Sequence, residues 1–140
     1  MIRNIVSDKR GAAAVEMAFA LPVTIMLMIG ILQFALVLQA SGAMRHGLGE
    51  GLRYAKVNTV SDPSDSSAVA AHKATVEEIA KNSLAGVNPS GIKAVTFARG
   101  VSNGAQFGSI SMEYELKPII PFAAIPAIKL NESRQIYLPS

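Results

Sequence analysis

The chain has 140 residues, of which 50% are hydrophobic, and a formal net charge of +3. Once a membrane-length segment is subtracted, this length leaves room for one small domain. The residues after Gly11 include ten basic and nine acidic side chains and no basic stripe, so the sequence gives no support for nucleic-acid binding. The absence of cysteine excludes disulfides, thiolate metal sites and a cysteine nucleophile.

A short basic leader precedes the apolar part of the chain. It comprises residues 1–11, contains three basic residues and one acidic residue, and ends at Gly11. Glu16 lies five residues beyond this glycine, and the next charged residue is Arg45. A carboxylate at the head of a membrane-length apolar run is costly in lipid, which indicates that Glu16 has a specific role.

The apolar run is long enough to cross a membrane. From Met17 to Met44, 28 consecutive residues are uncharged, and those from Ala18 to Leu38 are nearly all apolar. At about 1.5 Å per residue, residues 18–38 cover roughly 30 Å of hydrocarbon as a helix. Pro22 predicts a mild bend. The basic leader predicts a cytoplasmic N-terminus and a C-terminal part outside the cytoplasm.

The N-terminal segment from Lys9 to Glu16, followed by Leu21-Pro22, resembles the processing site of type IV prepilin-like proteins. Taken together, these residues resemble the TadE-like minor pseudopilins of the tight-adherence (Tad, Flp-type) pilus machinery. The resemblance implies that a prepilin peptidase cuts between Gly11 and Ala12, which makes Glu16 the fifth residue of the mature chain. It also implies that Glu16 pairs with the freed N-terminal amine of a neighbouring subunit during assembly.

Two other interpretations of this segment stay open. A cleaved secretory signal peptide has an apolar core of about 7–15 residues, which is shorter than this run. A plain signal anchor explains the length and the orientation, but not the placement of Glu16 after Gly11. The acid alone has a simpler explanation as well, because the helix dipole favours a carboxylate near a helix N-terminus.

Beyond the membrane the helix is expected to continue through Gln39–Val57. Small residues recur every four positions there, at Ala43, Gly47, Gly51 and Ala55. A face of small side chains lets another helix approach closely, which predicts a contact face within the chain or between subunits. The same glycines have a simpler reading, since each one weakens a helix by about 1 kcal/mol relative to Ala.

The rest of the chain predicts one helix followed by strands. A loop precedes a helix from about Ser66 to Ala85, with Asp65 as its N-cap and Gly86 as its stop. The hydrophobic period then changes to two. Three strands are predicted, at Ile92–Arg99, around Ile110–Leu116 and at Lys129–Leu138. An Asn-Gly turn at Gly100–Gly104 would join the first two. Pro118–Ile128 holds three prolines among apolar residues, so it is expected to cover the core, touch the membrane or dock on a partner.

No constellation of residues points to catalysis. Glu113 and Glu115 are two residues apart, which places both on the polar face of a strand at what is expected to be a solvated edge. His46 and His72 have no partner carboxylate at a telling spacing and are expected to be surface or half-buried residues. The sequence predicts no enzyme, no cofactor and no metal site.

We therefore expect an α+β protein in three parts. Residues 1–11 form a cytoplasmic prepilin-type leader, residues 12–57 a transmembrane and extended helix with a membrane part at about 18–38, and residues 58–140 a periplasmic head. The head is expected to hold a second helix and an antiparallel sheet of about three strands. The helix-packing positions would be Pro22, Ala43, Gly47, Gly51 and Ala55.

The resemblance implies a minor pseudopilin that helps to initiate or assemble a Flp/Tad-type pilus for surface adherence. The expected location is the bacterial inner membrane, crossed once. The implied partners are the prepilin peptidase, TadF-like and major Flp pilins, inner-membrane Tad platform proteins and the lipid bilayer. Ala12 stands where type II secretion pseudopilins usually have Phe, which favours the Tad branch. The alternatives are a type II secretion pseudopilin and a signal-anchored periplasmic binding or adhesion domain.

Overall fold

The computed structural model describes residues 9–60, 64–119 and 126–139, with side chains from residue 11 onward. Its elements confirm the predicted α+β class, with two α-helices followed by a three-stranded antiparallel sheet. They are α1 (Lys9–Val57), α2 (Ser66–Asn82), β1 (Ile92–Ser102), β2 (Ala105–Leu116) and β3 (Ile128–Tyr137), with a short 3₁₀ turn at Pro89–Gly91.

The chain divides into two compact units, residues 1–35 and 36–140. Helix α1 contributes to both, because it runs without interruption from Lys9 to Val57. We call residues 12–35 the apolar segment and residues 36–140 the folded unit. The C-terminal part of α1 therefore belongs to the same compact unit as α2 and the sheet.

Helix α2 begins at a well-formed cap. Asp65 Oδ1 accepts the backbone N–H groups of Ser67 and Ala68, at 2.8 and 3.2 Å, and the Ser67 hydroxyl at 2.7 Å. These bonds, with that from the Ser67 hydroxyl first, lower the pKa of Asp65. The predicted extension to Ala85 is wrong, because α2 ends at Asn82. The chain leaves the helix at Ser83, and Gly86 supplies the left-handed conformation there with a φ of 74°.

The sheet is a meander with the strand order β1-β2-β3. Asn103 and Gly104 both have positive φ, 52° and 78°, which confirms the Asn-Gly turn between the first two strands. The turn is shorter than predicted, because Ser102 pairs with Ala105 and the ladder continues to the two-residue loop. A two-residue turn of this type matches the twist of the strands, so pairing has no reason to stop at Arg99.

The predicted alternation in the second strand is confirmed. Its apolar residues Ile110, Met112 and Tyr114 are at most 4% exposed. Glu113 and Glu115 lie on the opposite face, but β2 is the middle strand, so the expected edge position is wrong. Residues 120–125, the centre of the proline-bearing segment, lie outside the described residues.

One core joins both helices to the sheet. Helix α1 presents buried residues at intervals of three or four, which places them on a single face. Helix α2 adds two residues, and the strands with the segment after β3 add the remainder. The core comprises Ala40, Met44, Leu48, Leu52 and Ala55 of α1, Val76 and Ala80 of α2, and Val95, Phe97, Ile110, Met112, Tyr114 and Leu138.

The two helices approach closely at glycines of α1. A Cβ built on Gly47 would lie 2.5 Å from the carbonyl oxygen of Ala80, and one built on Gly51 would lie 3.1 Å from the carbonyl oxygen of Val76. At Gly47 the obstacle is helix backbone, which yields less readily than the end of a side chain. At Gly51, in contrast, the side chains of Ala80 and Ile110 lie about as close as the backbone. The spacing of α1 and α2 therefore depends on glycine at position 47 above all.

Gly47→Ala and Gly42→Ala should change stability in opposite directions. Gly42 is an exposed residue of the same helix, and a Cβ there would meet no described atom within 4 Å. Gly42→Ala should therefore raise the free energy of unfolding by up to about 1 kcal/mol. Gly47→Ala should lower it by about 1–3 kcal/mol, because α2 must move away. Urea unfolding of both variants in detergent measures the difference, and an equal gain in both would contradict the close approach.

Candidate functional site

The predicted processing bond lies at the start of α1. Gly11 and Ala12 are both exposed, and the bond between them falls within the first turn of the helix, which begins at Lys9. A Cβ on Gly11 would meet no described atom within 4 Å, so the backbone there is unobstructed.

Glu16 lies in the next turn of the same helix and is exposed. It follows Ala12 by four residues, a spacing that places two helical residues on one face about 5–6 Å apart. A cut at Gly11 would create an amine on Ala12, on the face of α1 that carries the Glu16 carboxylate. This is a placement within one chain, whereas the pairing that the resemblance implies joins Glu16 to the amine of a neighbouring subunit and stays a prediction.

The apolar segment exposes large hydrophobic side chains around the helix. Phe19, Met26, Met17 and Phe34 are 75%, 72%, 64% and 63% exposed. Among the described residues, one helix, Gly11–Val57, is long and apolar enough to cross a membrane. A surface this apolar in all directions needs lipid or other apolar helices around it.

Pro22 lies inside this segment without interrupting α1. A proline has no N–H to donate, so the carbonyl of Ala18, four residues earlier, loses its helical partner. Two residues on, the Thr24 hydroxyl donates to the carbonyl of Ala20 at 2.9 Å, which satisfies a polar group within an apolar stretch.

The face of small residues lies within the folded unit. Ala43 and Ala55 are 9% and 0% exposed, and Gly47 and Gly51 contact the backbone of α2 as described above. The sequence left open whether this face meets a helix of the same chain or of another subunit. In the structure it is the α2 helix of the same chain that occupies the positions at Gly47 and Gly51.

A polar contact that the sequence did not reveal joins α1 to β3. Glu132 Oε1 accepts the Ser41 hydroxyl at 2.6 Å and the Nε–H of Arg45 at 3.1 Å. The Ser41 hydroxyl first, and then Arg45, lower the pKa of Glu132. Ser41 and Arg45 are four residues apart on one helix, which is the one signal in the sequence that could have suggested a shared partner.

His72, a half-buried residue of α2, contacts β1 through its side chain. His72 Nδ1 is 3.3 Å from Arg99 Nη2, and Nε2 contacts the carbonyl of Asn58. Arginine can only donate, so Nδ1 accepts and Nε2 carries the hydrogen. Burial, and then the Arg99 charge, lower the pKa of His72, so the ring is neutral near pH 7. The predicted half-buried position of His72 is confirmed, and its role here is structural.

A further ion pair lies on the outer face of the sheet. Glu115 Oε2 pairs with Lys93 Nζ at 2.9 Å on the outer face of the sheet, and this lysine is the main cause of its lowered pKa. Among the described residues, no three histidine, aspartate or glutamate side chains cluster in a way that could hold a metal ion.

The Glu132 contact should stabilise the folded unit in a pH-dependent way. At pH 7, Glu132→Gln should lower the free energy of unfolding by about 1–2 kcal/mol, because two hydrogen bonds to a charged acceptor are weakened. The pKa of Glu132 is depressed on folding, so this stability is present above about pH 4.5 and is lost as the pH falls through the folded pKa.

Urea unfolding between pH 7 and pH 3 should therefore show wild type and Glu132→Gln converging on the acid side. Glu113→Gln is the matched control, since it removes an exposed carboxylate from the outer face of the sheet. A constant difference between wild type and Glu132→Gln across this range would contradict the assigned contact.

The comparison with known families bears on the N-terminal part of the chain. Residues 11–53 match the family model described as TadE-like protein. The match begins at Gly11 and contains Glu16, Pro22 and the glycines at 47 and 51, whereas Ala55 lies just beyond it. No curated protein and no solved structure matches the chain. From residue 11 to residue 53 the chain is therefore TadE-like, which confirms the resemblance to this family of the Tad pilus system.

Proposed function

We propose that the chain is a minor pseudopilin that helps to initiate or assemble a Flp/Tad-type pilus for surface adherence. One observation carries the proposal: the TadE-like match begins at Gly11, and Glu16 follows five residues later at the head of an exposed apolar helix. A plain membrane anchor needs the apolar helix but has no use for a charge at this fixed place.

The first step is processing by a prepilin peptidase between Gly11 and Ala12. The exposure of Gly11 and Ala12 supports it, because a peptidase must reach the backbone between them. The absence of a side chain on Gly11 leaves that backbone accessible. Cleavage would remove the basic leader and leave an amine on Ala12.

The second step is storage in the bacterial inner membrane. The apolar segment would cross the bilayer once, in the orientation that the three basic residues of the leader set before the cut, with the N-terminus in the cytoplasm. The folded unit would then lie in the periplasm. From there the subunit would enter contacts with TadF-like and major Flp pilins and with the inner-membrane Tad platform proteins.

Glu16 would direct the third step, which is association with a neighbouring subunit. Its carboxylate is costly in lipid, and a free amine on the adjoining chain would neutralise it. Opposite charges attract strongly where water is scarce, so the pairing also fixes the axial position of one helix against the next. The mechanism is association through a helix, with the folded unit selecting which neighbours fit.

The intact mass of the membrane-extracted protein tests the first step. Co-expression with the prepilin peptidase of the same host should remove residues 1–11, and Gly11→Ala should leave the chain at full length. Gly42→Ala, the same substitution on an exposed surface of α1, should be processed as wild type. A full-length mass both with and without the peptidase would contradict the proposal. The chain would then be a signal-anchored domain.

Substitution of Glu16 separates processing from assembly. Glu16→Gln should be cut at the same place, but its co-purification with the major pilin should fall by about tenfold or more, because the partner amine is left unpaired in a poorly solvated place. Glu78→Gln removes an exposed carboxylate from α2 and should leave co-purification unchanged. Equal recovery of the pilin with Glu16→Gln would contradict the assigned role.

A further inference from the structure

Four lysines surround one end of the folded unit. Lys81 is in the last turn of α2, Lys93 is near the start of β1, Lys117 follows the end of β2, and Lys129 is near the start of β3. All four are exposed. Three adjoining clefts share Lys93, and they bring it together with Lys129, with Lys117 and with Lys81 in turn. We call this continuous surface the lysine end.

The lysine end is positive even after its carboxylates are counted. Glu115 binds Lys93 at 2.9 Å, and Lys129 and Lys117 also act on it from nearby. Glu113 lines the same cleft. Four ammonium groups against these two carboxylates leave a net charge of +2. Beyond Lys117 the chain exposes an apolar side chain, Ile119, which is 43% exposed.

Contacts within the folded unit show which end this is. The Gln39 side chain donates to the carbonyl of Gly86, between α2 and β1, at 2.7 Å. On β3, Arg134 lies beside Gly49, and Glu132 lies beside Ser41. The earlier residue of β3 therefore lies beside the earlier residue of α1. The first residues of β3 lie towards the end of the folded unit at which α1 enters it. The lysine end is the end at which α1 enters the folded unit.

We infer that the lysine end rests on the phosphate headgroups of an anionic bilayer. The inference rests on the proposed function, in which the part of α1 before Leu38 spans the membrane. Exposed lysines near an anionic surface are each attracted to it, and their flexible stems let the ammonium groups reach the phosphates. Because the chain is already anchored, the contact is intramolecular and needs little attraction per lysine.

The positions of the other lysines support this assignment. Lys56 is in the last turn of α1, and Lys73 is in the first half of α2. The residue before Lys73, His72, contacts Arg99 in the second half of β1. Both are exposed and lie away from the end at which α1 enters. They provide a matched pair of the same residue type on the same unit.

Fluorescence quenching by a headgroup-linked quencher tests the contact. The chain has no cysteine, so one label can be placed at Ser90→Cys, beside the cleft of Lys93 and Lys117, or at Ser102→Cys, at the far end of β1. The full-length protein is reconstituted in phosphatidylcholine vesicles and in vesicles of equal parts phosphatidylcholine and phosphatidylglycerol. Co-flotation of the protein with the vesicles in alkaline carbonate is measured separately.

We expect quenching at Ser90→Cys to rise with phosphatidylglycerol and to fall with added salt, and quenching at Ser102→Cys to stay low. We compare the number of molecules whose lysine end contacts the headgroups with the number whose lysine end does not. Lys117→Gln with Lys129→Gln should reduce this ratio by about fivefold for each lysine removed. Lys56→Gln with Lys73→Gln should not change this ratio. Lys117→Arg with Lys129→Arg should preserve it, which separates charge from any effect on folding.

The negative outcomes can be told apart. In one outcome the protein floats with the vesicles, but quenching does not depend on lipid charge or persists in Lys117→Gln with Lys129→Gln. This outcome overturns the inference and leaves the membrane anchor of the proposed function intact. The lysine end would then be free for an acidic partner protein. Loss of co-flotation contradicts the membrane anchor itself, and the inference falls with it.

Discussion

The close approach of α1 and α2 is the constraint on which the folded unit depends. Gly47 and Gly51 let the backbone of α2 lie against α1, and Val76 and Ala80 are fully buried as a result. Met44 and Leu48 of α1 are fully buried in the same core as residues of α2 and the sheet. A wider spacing would separate these packed surfaces and weaken the core.

The same helix faces two different environments along its length. In the apolar segment hydrophobic side chains point in all directions and are exposed, whereas from Ala40 onward the buried residues follow a single face. The first charge after Glu16 appears at Arg45, within the part of α1 that joins the core. The pattern thus changes from that of a helix surrounded by apolar material to that of a helix on the surface of a small domain.

The sequence predicts both helices and all three strands, and it misplaces only boundaries and contacts that depend on tertiary packing. The Asn103-Gly104 turn and the Asp65 cap follow from residue chemistry alone, and both are confirmed. The end of α2 and the continuation of β1 to Ser102 were misjudged, because helix ends and strand lengths depend on packing and pairing partners. The contact of Glu132 with Ser41 and Arg45 joins residues about ninety positions apart, and the spacing of Ser41 and Arg45 on one helix does not say which residue they share.

The occupied face of small residues limits how this protein can assemble. A helix of another subunit cannot use Gly47 and Gly51 without displacing α2, which would expose Val76 and Ala80 and break the core. The apolar segment exposes large hydrophobic side chains, and in the proposed function the Glu16 carboxylate at its head pairs with the amine of a neighbouring subunit. In the proposed function, the pairing of one α1 helix with another therefore belongs to the residues before Leu36, while exposed surfaces of the folded unit select which neighbours fit. The part of α1 after Leu36 is committed to holding its own domain together.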